Sequence, residues 1–417
     1  MVIHRWIPLQ IGTFLLLLSS SLLAQNAAPT PGIQIIERPT AVPQTQIQPT
    51  TVARSSDATD AARYLAGLPV PDNSNLASLT RDPRWQSHAA AMNAAFAQLE
   101  QRQLSNIRVW RSDMIPSGGS KTCLYYFSGP DFLYADTFFP DCTTYILGGL
   151  ESVDAMPDLL TVPPWGLVST LQNIQISLNT LLQFSFFKTK DMRQEFERGQ
   201  LKGVLPIIFV FLARTGKDIS SIEYVSLSSN GAVVSGNQGS TRGVKIDFSD
   251  PATGAQKVLY FFTADLSDDG VKRNAGVLRF SEQFAPANSL LKAASYLMHE
   301  GQFTTVRSSI LNTSGLILQD DSGIPIRYFA PDKWTLRFFG TYTAPIDLFK
   351  NFYQSDLRQY YQASSPKTLT FSFGYQWNRR NSTLILAMRK KISSLSGSRP
   401  KVSDIQRTHC GLGRPLD

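Results

Sequence analysis

Between Lys121 and Glu151 the apolar positions fall into two short runs, separated by a polar bend and an amphipathic piece. The first run, Cys123 to Phe127, stops at Ser128-Gly129-Pro130-Asp131; the second, Thr144 to Leu147, stops at Gly148-Gly149-Leu150-Glu151. That pattern predicts strand, tight loop, short helix and strand, a single βαβ unit.

On the N-terminal side, a helix is expected from Asp60, ending near Gly67-Leu68-Pro69. A second is expected over 84–102, where Trp85, His88, Met92, Phe96 and Leu99 recur at three- or four-residue spacing. Together these helices would form a cap. After the βαβ unit, Leu167, Leu171, Ile174, Leu178, Leu181 and Leu182 mark one stripe of a helix over 165–190, followed by a charged helix to Arg198. Leu205 to Leu212 is apolar at every position, the composition of a central buried strand with Pro206 at its start.

Further strands are expected over 222–227, 243–248 and 257–263, the last two joined as a hairpin by the turn residues Asp250-Pro251-Ala252-Thr253-Gly254. Helices over 287–300 and 303–312 come next. Asp320-Asp321-Ser322-Gly323 then joins strands 316–319 and 326–329 in another hairpin. A strand over 334–342, a helix over 345–361 and strands over 368–375 and 384–388 complete the reading. The fold class is therefore α/β: a mixed, partly parallel sheet with a Rossmann-like βαβ start, helices on its faces and antiparallel hairpins in the second half. A methyltransferase-like topology is compatible with that start, but export would argue against the activity, since the usual nucleotide cosubstrates are cytoplasmic.

The ends of the chain change the picture. Residues 1–24 have the charged start and apolar core, Ile11 to Leu23, of a secretory signal. Residues 25–57 are a Pro, Gln and Thr-rich linker expected to be disordered. One large α/β domain with the helical cap is assigned to 58–388, and a basic disordered tail to 389–417. The formal charge of +8 is concentrated in that tail, which holds seven Lys and Arg against two acids, while residues 25–388 carry 32 basic and 30 acidic side chains. A near-neutral body argues against a nucleic-acid partner. No later stretch has 18 consecutive apolar residues, so no transmembrane segment is expected in the mature chain. The expected location is periplasmic or extracellular. Export permits disulfides, and Cys123 with Cys142, both near the start of neighbouring strands, is the pair considered for a bridge.

Candidate chemistry gathers at predicted strand ends, where open α/β sheets place ligands. Ser128, Gly129 and Asp131 follow the first strand, and Glu151 ends the second, twenty residues after Asp131. In dinucleotide-type folds an acid at that place binds a ribose hydroxyl. Here the glycine fingerprint is missing, and Pro130 removes a backbone donor that a phosphate would need. An Asp131 that merely caps the short helix is the competing reading. Asp320 and Asp321 are adjacent carboxylates suited to a cation or to acid–base work, or to a plain turn. His299 reads as the end of a helix whose dipole favours its protonated form, or as a catalytic base given a partner such as Asp131 or Asp320. Arg214, following the predicted strand 205–212, would emerge at the same edge.

Other signals fail. Gly118 to Thr122 is not a phosphate loop, because its Lys does not follow the last Gly directly and the segment precedes a strand. Asp265 to Gly270 lacks the terminal carboxylate of a calcium loop. The cysteine and histidine spacings suit no metal site. No cofactor is indicated. Two functional classes remain: an exported protein with a polar-ligand or catalytic site for a small molecule, or a non-enzymatic protein that binds an envelope component. Convergence of the candidate acids in one pocket favours the first; scatter over the surface, or burial as helix caps, favours the second.

Overall fold

The computed structural model describes residues 55–184, 201–236, 239–376 and 378–390. The predicted signal, nearly all of the linker, the charged helix to Arg198 and the tail beyond Lys390 lie outside them. Ten strands form one sheet: β1 (Thr122–Tyr125), β2 (Thr144–Gly149), β3 (Asp218–Leu227), β4 (Val233–Ser235), β5 (Thr241–Asp250), β6 (Ala255–Thr263), β7 (Ala287–Leu291), β8 (Ser314–Gln319), β9 (Trp334–Gly340) and β10 (Thr383–Arg389). Their order is β4-β3-β5-β6-β2-β1-β7-β8-β10-β9.

The middle five strands, β6, β2, β1, β7 and β8, are parallel. On one flank β5 and β3 run antiparallel to their neighbours, and on the other β10 lies antiparallel to both β8 and β9. The sheet is thus mixed and partly parallel, with the β5–β6 hairpin at the expected turn.

Parallel strands need helices on both faces, and period-two alternation assigns each side chain to one of them. Tyr125, Tyr145 and Leu147 join one core with α1 (Ser55–Leu65), α2 (Pro83–Leu99), α3 (Ser105–Met114), α4 (Phe132–Phe138), α5 (Pro164–Phe184) and α6 (Leu205–Arg214). Leu124, Tyr126 and Ile146 point the other way, toward α7 (Asp268–Arg273), α8 (Gly276–Glu282), α9 (Thr304–Thr313) and α10 (Ser355–Ser364).

Several expectations are corrected. Leu205–Leu212 is not a strand but most of α6, with Pro206 in its first turn and every residue through Ala213 buried. An apolar run of eight fits a helix buried on all sides as well as a central strand, and proline is at home in a first helical turn. The helix expected over 287–300 is β7 followed by a loop, because Ala287–Leu291 is clamped between β1 and β8. Residues 326–329 hold a short 3₁₀ turn, so no hairpin follows β8. Residues 368–375 contribute only one isolated bridge, at Phe373.

The amino edge of the parallel strands is fixed by buried charges. Lys217 Nζ lies 2.7 Å from Asp250 and 3.5 Å from Asp136, and Lys257 Nζ lies 3.4 Å from Asp250. Removing one partner from such a cluster leaves uncompensated buried charge. Asp250→Ala is expected to lower stability by about 3–5 kcal/mol in urea unfolding.

Candidate functional site

At the opposite, carboxyl edge, β1 connects to β2 on one side while β7 lies on its other side. This is the topological switch point at which open α/β sheets hold ligands. Phe127 and Gly129, at φ of 59° and 52°, turn the chain out of β1, and the Ser128 N–H donates to the Gly148 carbonyl at 3.0 Å.

Asp131 then does two things. Its Oδ1 accepts the Tyr134 N–H at 3.2 Å, capping α4 as the structural reading expected. Its Oδ2 lies 3.0 Å from Lys292 Nζ and accepts the Tyr125 hydroxyl at 3.1 Å. Both charged side chains are 1% exposed, and the Lys292 ammonium sits 4.0 Å from the centre of the Tyr134 ring. A pair so deeply buried persists only with further hydrogen bonds, which Tyr125 and Tyr134 N–H supply.

Glu151, just beyond β2, is buried, with its carboxylate laid across Gly129 and Gly149. A Cβ at 149 would overlap Glu151 Oε2, so the carboxylate can lie there only because residue 149 is glycine. Thr263 Oγ1 donates to the Glu151 carbonyl at 2.6 Å and fixes the turn from the β6 side.

These groups share one cavity of about 330 Å³. Its polar side is formed by Ser128, Asp131, Glu151 and Lys292, and Asp265 joins from the end of β6. Phe127, Leu266, Leu297 and Phe303 make the apolar side, with Phe127 and Phe303 packed edge to face at 6.0 Å.

The remaining wall is the loop after β7. Ala293, Ser295 and Tyr296 all have positive φ, between 51° and 56°. The Ala293 N–H donates to Asp320 Oδ2 at 3.2 Å, and Tyr375 OH donates to the Ala293 carbonyl at 2.9 Å. Asp320 and Asp321 therefore support the cavity wall from behind. Burial pushes the Asp320 carboxyl up to about 6, and burial with the neighbouring Asp320 charge pushes Asp321 up to about 7.

His299 sits on a 3₁₀ turn, Leu297–His299, instead of a helix end. Burial pushes its imidazole down to about 4, so it is neutral at pH 7 and donates from Nε2 to the Asp321 carbonyl at 3.2 Å. Arg214 lies elsewhere. As the last residue of α6 it donates to the Ala66 carbonyl at 3.0 Å and to Asn93 at 2.7 Å, stacked on Phe96.

Cys123 and Cys142 are both free and buried. The Cys142 Sγ accepts from Asn288 Nδ2 at 3.6 Å and lies 3.7 Å from the Ser120 carbonyl, and no bond joins it to Cys123. Two reactive thiols are expected in the unfolded protein from this pair, counted by alkylation and mass without reductant.

Sequence reasoning missed Lys292, Tyr125 and Asp265. Lys292 ends an apolar run, as Asp131 and Glu151 follow theirs, but the helical reading of 287–300 hid it. Among the described residues, no group of His, Cys, Asp and Glu is arranged to hold a metal ion, and no helix is long and apolar enough to cross a membrane. Comparison with protein-family models, curated proteins and solved structures finds no match.

Proposed function

We propose that the chain binds a small molecule with vicinal hydroxyls and a flat apolar portion, an unphosphorylated nucleoside being the best fit, in the cavity beside β1. The observation that carries this reading is the Glu151 carboxylate, placed by two side-chain-free glycines at the rim of a cavity at the switch point. An acid after the second strand is the group that accepts ribose hydroxyls in dinucleotide-binding α/β sheets. Leu266 and Phe127 offer apolar faces to a planar ring, and Asp265 an acceptor for its exocyclic amine. Phosphate is disfavoured. Pro130 has no N–H to give, and Asp131 already engages the Lys292 ammonium.

Ser128, Asp131 and Glu151 line the cavity together, which supports a ligand site. The burial of Asp131 as a helix cap, and the absence of Arg214, Asp320 and Asp321 from the lining, weigh toward the structural envelope role. A second reading, group transfer from such a ligand, is supported by the run β6-β2-β1-β7-β8-β10-β9 with only β10 reversed. It keeps the methyltransferase-like topology open, by analogy of fold alone. Export to the periplasm or beyond remains our proposal from the apolar run Ile11 to Leu23.

Thermal shift against nucleosides, nucleotides, sugars and divalent cations tests the reading, since a native-state ligand raises Tm with concentration. A dose-dependent rise with ribonucleosides, smaller for their monophosphates, is expected. A rise confined to phosphorylated compounds would contradict it.

A further inference from the structure

The loop walling the cavity is strained and depends on its anchors. Three non-glycine residues in left-handed backbone within four positions persist only where surrounding contacts hold them. Those contacts converge on the residues after β8. Asp320 Oδ2 accepts the Ala293 N–H at 3.2 Å, and Ser322 Oγ accepts the Ala294 N–H at 2.8 Å. Ser322 is itself fixed to Asp320 Oδ1 through its N–H at 3.1 Å and its hydroxyl at 2.6 Å. Tyr296 OH donates to Asp321 Oδ2 at 2.6 Å. The two carboxyls are neighbours in the chain, 1% and 3% exposed.

We propose that Asp320 and Asp321 form a proton-operated latch on the cavity wall, closed while the pair retains a proton and released when that proton is lost. Two adjacent buried carboxyls cannot both ionise without a large penalty. Asp320 accepts three hydrogen bonds, from Ala293 N–H, Ser322 N–H and the Ser322 hydroxyl, while Asp321 accepts one side-chain bond, from Tyr296. The charge is better solvated on Asp320, and Asp321 holds the proton.

The surroundings support this assignment. Lys292, at the end of β7, offsets charge on Asp320 while also pairing with Asp131. The phenols of Tyr125, Tyr296, Tyr342, Tyr361 and Tyr375 face the pair, and burial raises each of them, so all stay neutral. His299, pushed down to about 4 by burial and by Arg327 and Arg307, is neutral throughout the window and is not the switch.

The sign follows from linkage. Together the two carboxyls hold one proton more tightly in the closed site than in water, because burial disfavours a second charge there. The closed loop is therefore favoured in acid and loses stability progressively as pH rises from the ordinary carboxylate range toward neutrality. Opening that admits water to the pair relieves the second negative charge.

The test is hydrogen exchange of amides 293–296 in the full chain at about pH 5.5 and about pH 8, expressed relative to intrinsic rates. Protection is expected to fall roughly tenfold or more toward pH 8, the factor equivalent to one unit of pKa difference. Asp321→Asn, which keeps an acceptor for Tyr296 and removes the charge, is expected to stay protected at both values. Tyr296→Phe, which cuts the tie, is expected to be unprotected at both. Equal protection of the unaltered chain at both pH values, or the same fall in Asp321→Asn, overturns the latch. Control of ligand entry rests on the reading of the cavity as a nucleoside site. Adenosine affinity is expected to weaken over the same pH interval by a similar factor. Failure of adenosine to bind at any pH counts against that reading, while the exchange result still decides the latch. Binding that ignores pH while exchange responds overturns the link between them.

Discussion

Replacing Asp131 with alanine is expected to remove about 3–5 kcal/mol of stability, because it takes the carboxylate from a fully buried ammonium. Lys292 and Asp131 are each 1% exposed and 3.0 Å apart. The same substitution uncaps α4, worth roughly 1 kcal/mol more. Urea unfolding measures the loss. The double variant Asp131→Ala/Lys292→Met is expected to recover only part of it, since it removes the stranded ammonium but also the cation that offsets charge on Asp320. A single variant within about 1 kcal/mol of the unaltered chain would mean that water reaches Lys292 and that the site is not dry.

The second large effect is expected at Gly149. Alanine there occupies the space of Glu151 Oε2, so the carboxylate must leave its place over Gly129. The displaced atoms are the far end of a flexible side chain, so the loss of stability is small, and the larger effect is on ligand binding, which is expected to be lost. Glu151→Ala added to Gly149→Ala removes the clash, so that small loss should disappear while binding stays absent. Calorimetric melting and a binding titration on the three variants separate the two consequences. If Gly149→Ala binds ligand normally, the carboxylate's position is not what forms the site.

The β1–α4–β2 unit was legible because each of its signals is local. Two apolar runs of strand length are bounded by Ser128-Gly129-Pro130-Asp131 and by Gly148-Gly149. The placement of Ser128, Gly129, Asp131 and Glu151 in one cavity followed from it. β7 was illegible for the opposite reason. Leu290, Leu291, Ala294, Leu297 and Met298 recur with helical spacing, yet β1 and β8 pair with 287–291 on either side and the following residues take left-handed backbone.

That misreading concealed Lys292, the cation at the centre of the site. α6 shows the converse ambiguity. Its unbroken apolar run carries no period, and burial on every side of a helix satisfied it as well as a central strand would. Arg214 was placed at the wrong edge in consequence. Asp320 and Asp321 were visible as a carboxylate pair, but their role behind the wall, holding Ala293 and Tyr296, depends on contacts 25 or more residues away in the chain.

The most direct test of the account is isothermal titration calorimetry of the full chain with adenosine and with 2′-deoxyadenosine, repeated on Glu151→Gln. Saturable adenosine binding is expected, weakening by about tenfold or more when either the 2′-hydroxyl or the Glu151 carboxylate is removed, the size of one charge-assisted hydrogen bond. Removing both should weaken it little further, because the two changes delete the same contact. Equal affinity for the two nucleosides, or adenosine binding unchanged in Glu151→Gln, would contradict the assignment of the carboxylate as the diol-binding group.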